Sequence, residues 1–150
     1  MTDIMSPETR SRVMSRIRGR NTGPERALAK LLKGAGLKFG RHGKHLPGRP
    51  DFYFPSCKVA VCVDGDFWHG WRFPARKHKL TPFWRKKIGG NRARDRRNMA
   101  KLRRLGWRPV RIWEHQMERC PEMVLARVLA ALRTPPYPVS RGHHLKKPRR

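Results

Sequence analysis

Hydrophobic positions along the chain switch between helical and strand spacing, and this switching predicts its elements. SPETRSRVMSRIRG opens with Ser6 as an N-cap and Pro7 at the first helical position, which predicts a short basic helix ending near Gly19. In TGPERALAKLLKGAG, Thr22 and Glu25 form a capping-box pattern, and the leucines recur at the spacing of a helix with one buried face. The amino-terminal part therefore predicts two helices before any strand.

Strand-like runs follow these helices and form the centre of the predicted fold. LKFGRH predicts a short strand, DFYF a second and KVAVCVD a third, with turns between them in an antiparallel meander. Residues 65–80 show no clear periodicity. A helix then starts at Thr81, is interrupted at Gly89 and Gly90, and continues to Leu105.

A fourth strand and a last helix complete the pattern. WRPVRIWE predicts a strand at a sheet edge, because Pro109 cannot donate a ladder hydrogen bond. The helical crossover before it makes the third and fourth strands parallel, and PEMVLARVLAALR predicts the closing helix. We therefore expect one α/β domain over residues 1–134, with a mixed sheet of about four strands flanked by helices. The basic, Pro-rich segment 135–150 is expected to be disordered.

The chain is strongly basic. Lys and Arg number 37 against 10 Asp and Glu, which gives a formal net charge of +27 in 150 residues. A compact domain with this charge repels itself and is stabilised beside a polyanion such as nucleic acid. The basic residues are spread along the chain, which disfavours a membrane-surface helix, and no apolar run is long enough for a membrane span. Charge alone does not separate an enzyme on DNA from a ribosomal type of RNA binder.

Cysteine use and the amino terminus indicate a cytoplasmic protein. Cys57, Cys62 and Cys120 cannot all pair and none lies in a CxxC motif, which favours reduced thiols. The first residues lack the apolar stretch of a signal peptide.

Acidic residues are scarce, so their placement is informative. Asp51 begins one predicted strand, Asp64 ends its neighbour and Asp66 follows closely. A hairpin of these strands brings Asp51 and Asp64 to one sheet end, where two carboxylates repel unless a cation lies between them, and hard oxygen ligands suit Mg²⁺. The alternative is that both are ordinary strand-end residues in turns or Arg salt bridges.

Two large aromatic residues and a histidine follow these acids directly. Phe67 and Trp68 in a loop of a cationic protein suit rings that insert between base steps, although loop aromatics can equally fold back over the core. His69 is a candidate general acid or base, and the alternative is a packing or surface histidine.

Four segments of the chain resemble a known protein family: LPGRPDF at 46–52, VDGDFWHG at 63–70, PFWRKKIGGNRARD at 82–95 and LGWRPVRIWE at 105–114. With the TGPE segment they resemble, in the same order, the very-short-patch-repair (Vsr) DNA mismatch endonuclease family. The resemblance implies a restriction-endonuclease-like core. It also implies a bacterial, Mg²⁺-dependent enzyme that nicks DNA 5′ to the thymine of a T:G mismatch left by 5-methylcytosine deamination.

The resemblance also implies roles for polar positions. Asp51 matches the central metal-binding aspartate, Val63 the position that gives a main-chain oxygen to the metal, and Asp64 lies beside it. His69 matches the catalytic histidine. Two further acids match functional positions of the family. Glu25 matches an acid near the metal, and the alternative is a capping-box residue only. Asp95 matches a supporting acid, and the alternative is a salt-bridge partner on its helix.

Contacts to DNA are implied as well. Phe67, Trp68 and Trp84 resemble the aromatics that enter the duplex beside the mismatch, although Trp84 at helical spacing from Ile88 is equally a core candidate. The amino-terminal basic helix is expected to grip backbone phosphates through Arg10, Arg12, Arg16 and Arg18.

One departure from the family concerns zinc. Family members commonly hold a structural zinc with Cys and His, whereas the matching positions here are Asp66, Trp71, Phe73 and His115. Since His115 alone suits zinc, we expect no structural zinc, with aromatic packing by Trp71 and Phe73 in its place.

The resemblance therefore implies a monomeric, nucleoid-associated DNA repair endonuclease whose partners are T:G-mismatched duplex DNA and mismatch-repair proteins. Two alternatives stay open at this point. One is a nickase of the same fold that acts on another lesion, on branched DNA or on foreign DNA, and the other is a non-catalytic mismatch-binding protein.

Overall fold

The structure, a computed structural model, describes residues 6–9 and 21–135. Residues 7–9 are helical, and the Ser6 hydroxyl accepts a hydrogen bond from the Thr9 N–H at 3.2 Å, as expected of an N-cap. The rest of the predicted basic helix lies outside the described residues, with Arg10, Arg12, Arg16 and Arg18, and so does the tail from residue 136.

The main elements follow the predicted order along the chain, and helices flank one sheet. The strands are β1 (Gly40–Arg41), β2 (Phe52–Phe54), β3 (Val59–Asp64) and β4 (Arg108–Trp113). The helices are α1 (Gly23–Gly34), α2 (Phe73–Arg76), α3 (Pro82–Arg104), α4 (Glu114–Arg119) and α5 (Pro121–Arg133), with a 3₁₀ turn at Lys77–Lys79 after α2.

The four strands form one mixed sheet in the order β1-β2-β3-β4. β1 to β3 are an antiparallel meander, with Phe52 opposite Val61, and β4 pairs parallel to β3, with Val61 opposite Val110. The mixed α/β fold and the edge position of the strand containing Pro109 are therefore confirmed.

The two faces of the sheet are covered differently. Val59 and Val61 of β3 point into the larger core, where α1, α4 and α5 pack with Leu28, Leu32 and Val128 completely buried. Since side chains alternate along a strand, Ala60 points to the opposite face, where Leu102 of α3 covers it. The small side chain of Ala60 lets α3 approach the sheet. Cys62 and Asp64 lie on the same face, further toward the end of β3.

Several local predictions are wrong in detail. Gly89 and Gly90 do not interrupt α3, which runs unbroken through residues 82–104. Each glycine costs a helix about 1 kcal/mol relative to alanine, and burial of Trp84, Ile88 and Leu102 along the helix offsets this cost. The aperiodic segment 65–80 contains α2 and the 3₁₀ turn, and the short helix α4 was not expected as a separate element.

Within the described residues, no helix is both long and apolar enough to cross a membrane.

Candidate active site

A cavity of about 850 Å³ opens at the sheet end where β2 begins and β3 ends. The antiparallel pairing of these strands places Asp51 and Asp64 at this same end, as the sequence predicted. Asp51 and His69 line one cavity rather than opposite sides of the molecule. Five of the ten acidic residues in the chain line it: Glu25, Asp51, Asp64, Asp95 and Glu114.

Asp51 is fixed against the end of β3. Its Oδ2 accepts a hydrogen bond from the Val63 N–H at 2.7 Å. The N–H and C=O of one residue in an extended strand point to the same side, so the Val63 carbonyl also lies on the side of Asp51. Burial, together with the charges of Glu25 and Asp64, raises the pKa of Asp51 to about 7 against the lowering effect of the Val63 N–H.

Glu25 caps α1 and also lies beside Asp51. The Thr22 hydroxyl accepts from the Glu25 N–H, and Glu25 Oε2 accepts from the Asn21 N–H at 2.8 Å, so this end of α1 is capped. The side chain is also buried beside Asp51, and Glu25, Asp51 and His42 bring candidate ligand atoms within 4.8 Å of one another. Sequence analysis did not single out His42, which follows β1 and meets Asp51 through the β1–β2 pairing.

His69 lies between two carboxylates. Its Nδ1 is 2.7 Å from Asp95 Oδ2, and its Nε2 is 3.5 Å from Asp64 Oδ1. Burial opposes protonation of the imidazole, but the hydrogen bond with Asp95 and the charge of Asp64 outweigh it and raise the pKa of His69. Burial likewise opposes ionisation of Asp95, but His69 and Arg111 outweigh it, so the pKa of Asp95 is lowered. Asp95 is therefore an ionised acceptor, which places the proton of a neutral His69 on Nδ1.

Arg111 ties the two carboxylates together, and sequence analysis missed it. Its Nε donates to Asp64 at 2.6 Å and its Nη2 donates to Asp95 at 3.1 Å. Burial raises the pKa of Asp64 and the charges of His69 and Arg111 oppose that shift. The parallel register places Arg111 opposite Cys62, on the face that carries Asp64. The signal in the sequence is the alternation of WRPVRIWE, which becomes informative once the register with β3 is known.

Removing Arg111 alone is expected to destabilise the fold. Arg111→Met leaves Asp64 buried without its Arg partner, and breaking such a pair costs up to about 3–5 kcal/mol in the free energy of unfolding. Asp64→Asn/Arg111→Met removes both charges of that pair, and Asp95 keeps His69 and Arg94, so the double variant is expected to be more stable than Arg111→Met. Urea unfolding at neutral pH measures both, and strictly additive effects of the two substitutions would contradict the coupling.

The aromatic residues of the loop and of α3 form one cluster. Phe67, Trp68 and Trp84 contact each other edge to face with ring centroids 5.3–5.5 Å apart, and Phe83 packs on Trp84 at 5.0 Å. Phe67 and Phe83 are 44% and 46% exposed, whereas Trp84 is 7% exposed. Asn91 Nδ2 holds the loop by donating to the Trp68 carbonyl at 2.8 Å. Trp84 therefore supports the cluster from beneath, and Phe83 adds an exposed ring that sequence analysis did not single out.

Of the four positions that match zinc ligands in the family, Asp66 and Trp71 both contact His115, whereas Phe73 contacts Arg92. His115 Nδ1 lies 2.7 Å from Asp66 Oδ1, and the His115 and Trp71 rings are 4.2 Å apart. The Phe73 ring lies under the Arg92 guanidinium at 5.2 Å. Within the described residues, the groups of three or more potential ligands are Glu25–His42–Asp51 and Asp64–His69–Asp95, neither of which contains His115.

The absence of a structural zinc stays a prediction. Untagged protein purified without chelator is expected to contain well under one zinc per chain by elemental mass spectrometry. A stoichiometric zinc that is retained after dialysis would contradict it.

The chain is similar in sequence to a known family and to several curated proteins. Residues 2–74 match the family model described as DNA mismatch endonuclease Vsr. The chain is 42% identical over 119 residues to the type II nicking enzyme V.XorIIP of Xanthomonas oryzae pv. oryzae, covering 78% of this chain and 88% of the relative. It is 41% identical over 119 residues to the DNA mismatch endonuclease Vsr of Escherichia coli, covering 76% and 74% of the two chains. The type II nicking enzyme V.NmeDIP of Neisseria meningitidis serogroup C is 35% identical over 134 residues, covering 87% and 90%.

Proposed function

Because the chain belongs to the Vsr family of DNA mismatch endonucleases, we propose that it nicks one DNA strand 5′ to the thymine of a T:G mismatch in a Mg²⁺-dependent reaction. Family membership gives the coarser statement, that the protein is a DNA endonuclease and a hydrolase of phosphodiester bonds. The observation that carries the finer proposal is the gathering of Asp51, Asp64, His69 and Asp95 in one cavity beside a partly exposed aromatic cluster.

The donor set at Asp51 fits a magnesium ion. The Asp51 carboxylate and the Val63 carbonyl are hard oxygen donors on one side of β3, and a position near them leaves room for water and a phosphate. When bound, the ion supplies Lewis-acid chemistry at the scissile phosphate. Asp64 already contacts two cationic partners, Arg111 and His69. Because its charge is compensated there, the Val63 carbonyl is favoured over Asp64 as the second protein ligand.

His69 is the proton carrier in this proposal. Asp95 accepts from Nδ1 and fixes the ring, which leaves Nε2 on the side of Asp64 and the cavity to take or give a proton. Arg111 holds Asp95 and Asp64 in place around the ring. Glu25 adds negative charge beside Asp51 and favours a cation there.

The aromatic cluster supports mismatch preference. Insertion of Phe67 or Trp68 into the stack separates base pairs, and this costs less at a T:G pair than at a Watson–Crick pair. Trp84 lies behind these rings and resists their displacement.

End-labelled duplexes that carry T:G or matched T:A in several flanking contexts test the proposal. With Mg²⁺ we expect one nick 5′ to the mismatched thymine, and with EDTA none. Product mapping gives strand, position and context together. Binding without cutting under every divalent ion would leave a mismatch-binding protein, and equal cutting of T:A duplexes would exclude mismatch specificity.

Magnesium affinity is expected to increase with pH through the pKa of Asp51, about 7. A protonated carboxyl cannot bind the ion, so affinity should rise by about fivefold between pH 6 and pH 7 and by about tenfold between pH 6 and pH 8, and level off above that. Calorimetric titration without DNA measures it. Equal affinities at pH 6 and pH 8 would contradict a proton on Asp51, and Asp51→Asn provides the control with weak, pH-independent binding.

A further inference from the structure

A second, smaller cavity lies between α3 and the free edge of β4. Its volume is about 270 Å³, and it is lined by Arg92, Arg96, Met99, Arg103, Pro109 and Arg111. We call it the arginine groove. Four of its six lining residues carry a positive charge and none carries a negative one.

The sequence spacing explains why the arginines converge. Arg92, Arg96 and Arg103 are separated by four and seven residues, so they share one face of α3 over about 16 Å of helix. Arg92 is half-buried with its guanidinium over the Phe73 ring, and Arg111 is held by Asp64 and Asp95. Arg96 and Arg103 are exposed, and no carboxylate among the described residues forms an ion pair with either. The groove thus combines two arginines that are held by neighbouring side chains with two exposed arginines.

The arginine groove adjoins the larger cavity at the end of β3, which we call the acidic cavity because five acidic residues line it. Met99 lines both cavities, and Arg111 lines the groove while contacting two acids of the other cavity. A duplex bound across the acidic cavity therefore has neighbouring backbone within reach of the groove. Arginine forks match phosphate oxygens bidentately, and duplex DNA presents a phosphate every 3.4 Å or so along each strand.

We propose that the arginine groove binds backbone phosphates of the substrate duplex beside the nicking site. This inference rests on the proposed function, because it takes duplex DNA as the substrate. The groove supplies position and affinity rather than mismatch recognition, since phosphate contacts carry no base information.

The competing explanation is protection of the sheet edge. β4 is an edge strand, and Arg127 of α5 already covers the Arg111 carbonyl at 3.0 Å. Charged side chains along such an edge discourage strand pairing with another copy. On this explanation, loss of the arginines changes self-association and leaves DNA affinity unchanged.

A matched pair of variants separates these explanations. Arg96→Gln/Arg103→Gln removes two exposed groove arginines, and Arg97→Gln/Arg104→Gln removes two exposed arginines at the same spacing, one residue further around α3. Fluorescence anisotropy in EDTA measures affinity for T:G and T:A duplexes over a series of salt concentrations. Thermal melting confirms that both variants fold.

We expect the groove variant to bind both duplexes about tenfold more weakly at about 0.1 M salt, and its salt slope to fall by about one to two. The control variant should change affinity by less than about twofold. Equal losses in both variants would mean general charge attraction, and unchanged affinity with new dimers would mean edge protection; either result overturns the proposal. Nicking of T:G duplex by the wild type is assayed separately, so a failure of the groove is distinguishable from a failure of the proposed function.

Discussion

Asp51→Asn is expected to lose at least about a thousandfold in single-turnover nicking while still binding T:G duplex. The amide keeps an oxygen that can accept from the Val63 N–H, so the local geometry persists. It removes the negative charge that would hold the cation. Nicking is measured on end-labelled duplex with Mg²⁺, and binding is measured in EDTA.

The same substitution is expected to stabilise the protein without metal. The pKa of Asp51 is raised to about 7 in the folded state from 3.8, so its ionisation destabilises the fold increasingly as pH rises from about 4 to 7. Asp51→Asn should therefore unfold at higher urea near pH 8, with a free energy of unfolding up to about 4 kcal/mol larger, since the shift is about three pKa units and one unit corresponds to about 1.4 kcal/mol. The gain should vanish near pH 4. An inactive variant that is also less stable at pH 8 would show that Asp51 is a structural residue.

His69→Gln is expected to lower the nicking rate by about 10²–10⁴-fold, the usual contribution of a general acid or base. Glutamine can still donate to Asp95, so the hydrogen bond at Nδ1 is retained in kind while the titrating group is lost. Single-turnover rates at saturating Mg²⁺ from pH 6 to pH 9 measure the loss.

Asp95→Asn is the companion variant. It leaves His69 in place but removes the charge that raises the pKa of the imidazole. The limb of the pH–rate profile that reports the titration of His69 should therefore move to lower pH. A His69→Gln enzyme within tenfold of the wild type would make His69 a packing residue.

Periodicity was sufficient for most of the fold because the longer helices and the central strands each bury one face. The β3–β4 pair was predicted parallel from the helical crossover alone, and the structure agrees. Local propensity failed at Gly89 and Gly90, where contacts made by distant parts of the chain hold α3 together. No local pattern marks α4, which occupies six of the seven residues between β4 and α5.

The sequence predicted the candidate-site residues that lie at the ends of neighbouring strands. It did not predict those whose partners depend on the register between strands far apart in the sequence. Asp51, Asp64 and His69 were found from their positions around the predicted hairpin. Arg111 lies 47 residues from Asp64 and looked like a surface arginine, because its partner depends on the strand register. Trp84 illustrates a different limit, since its spacing from Ile88 indicated burial and the family resemblance indicated DNA contact.

The turn between α3 and β4 constrains how this chain can change length. Gly106 closes it with a φ of +84°, while the Trp107 N–H returns to the Leu102 carbonyl. An inserted residue that shifted β4 by one position against β3 would reverse the facing of every β4 side chain and send the Arg111 guanidinium into the apolar layer under α5. Length variants at this turn are therefore compatible with the site only where the extra residues lengthen the turn and leave the pairing of β4 with β3 unchanged.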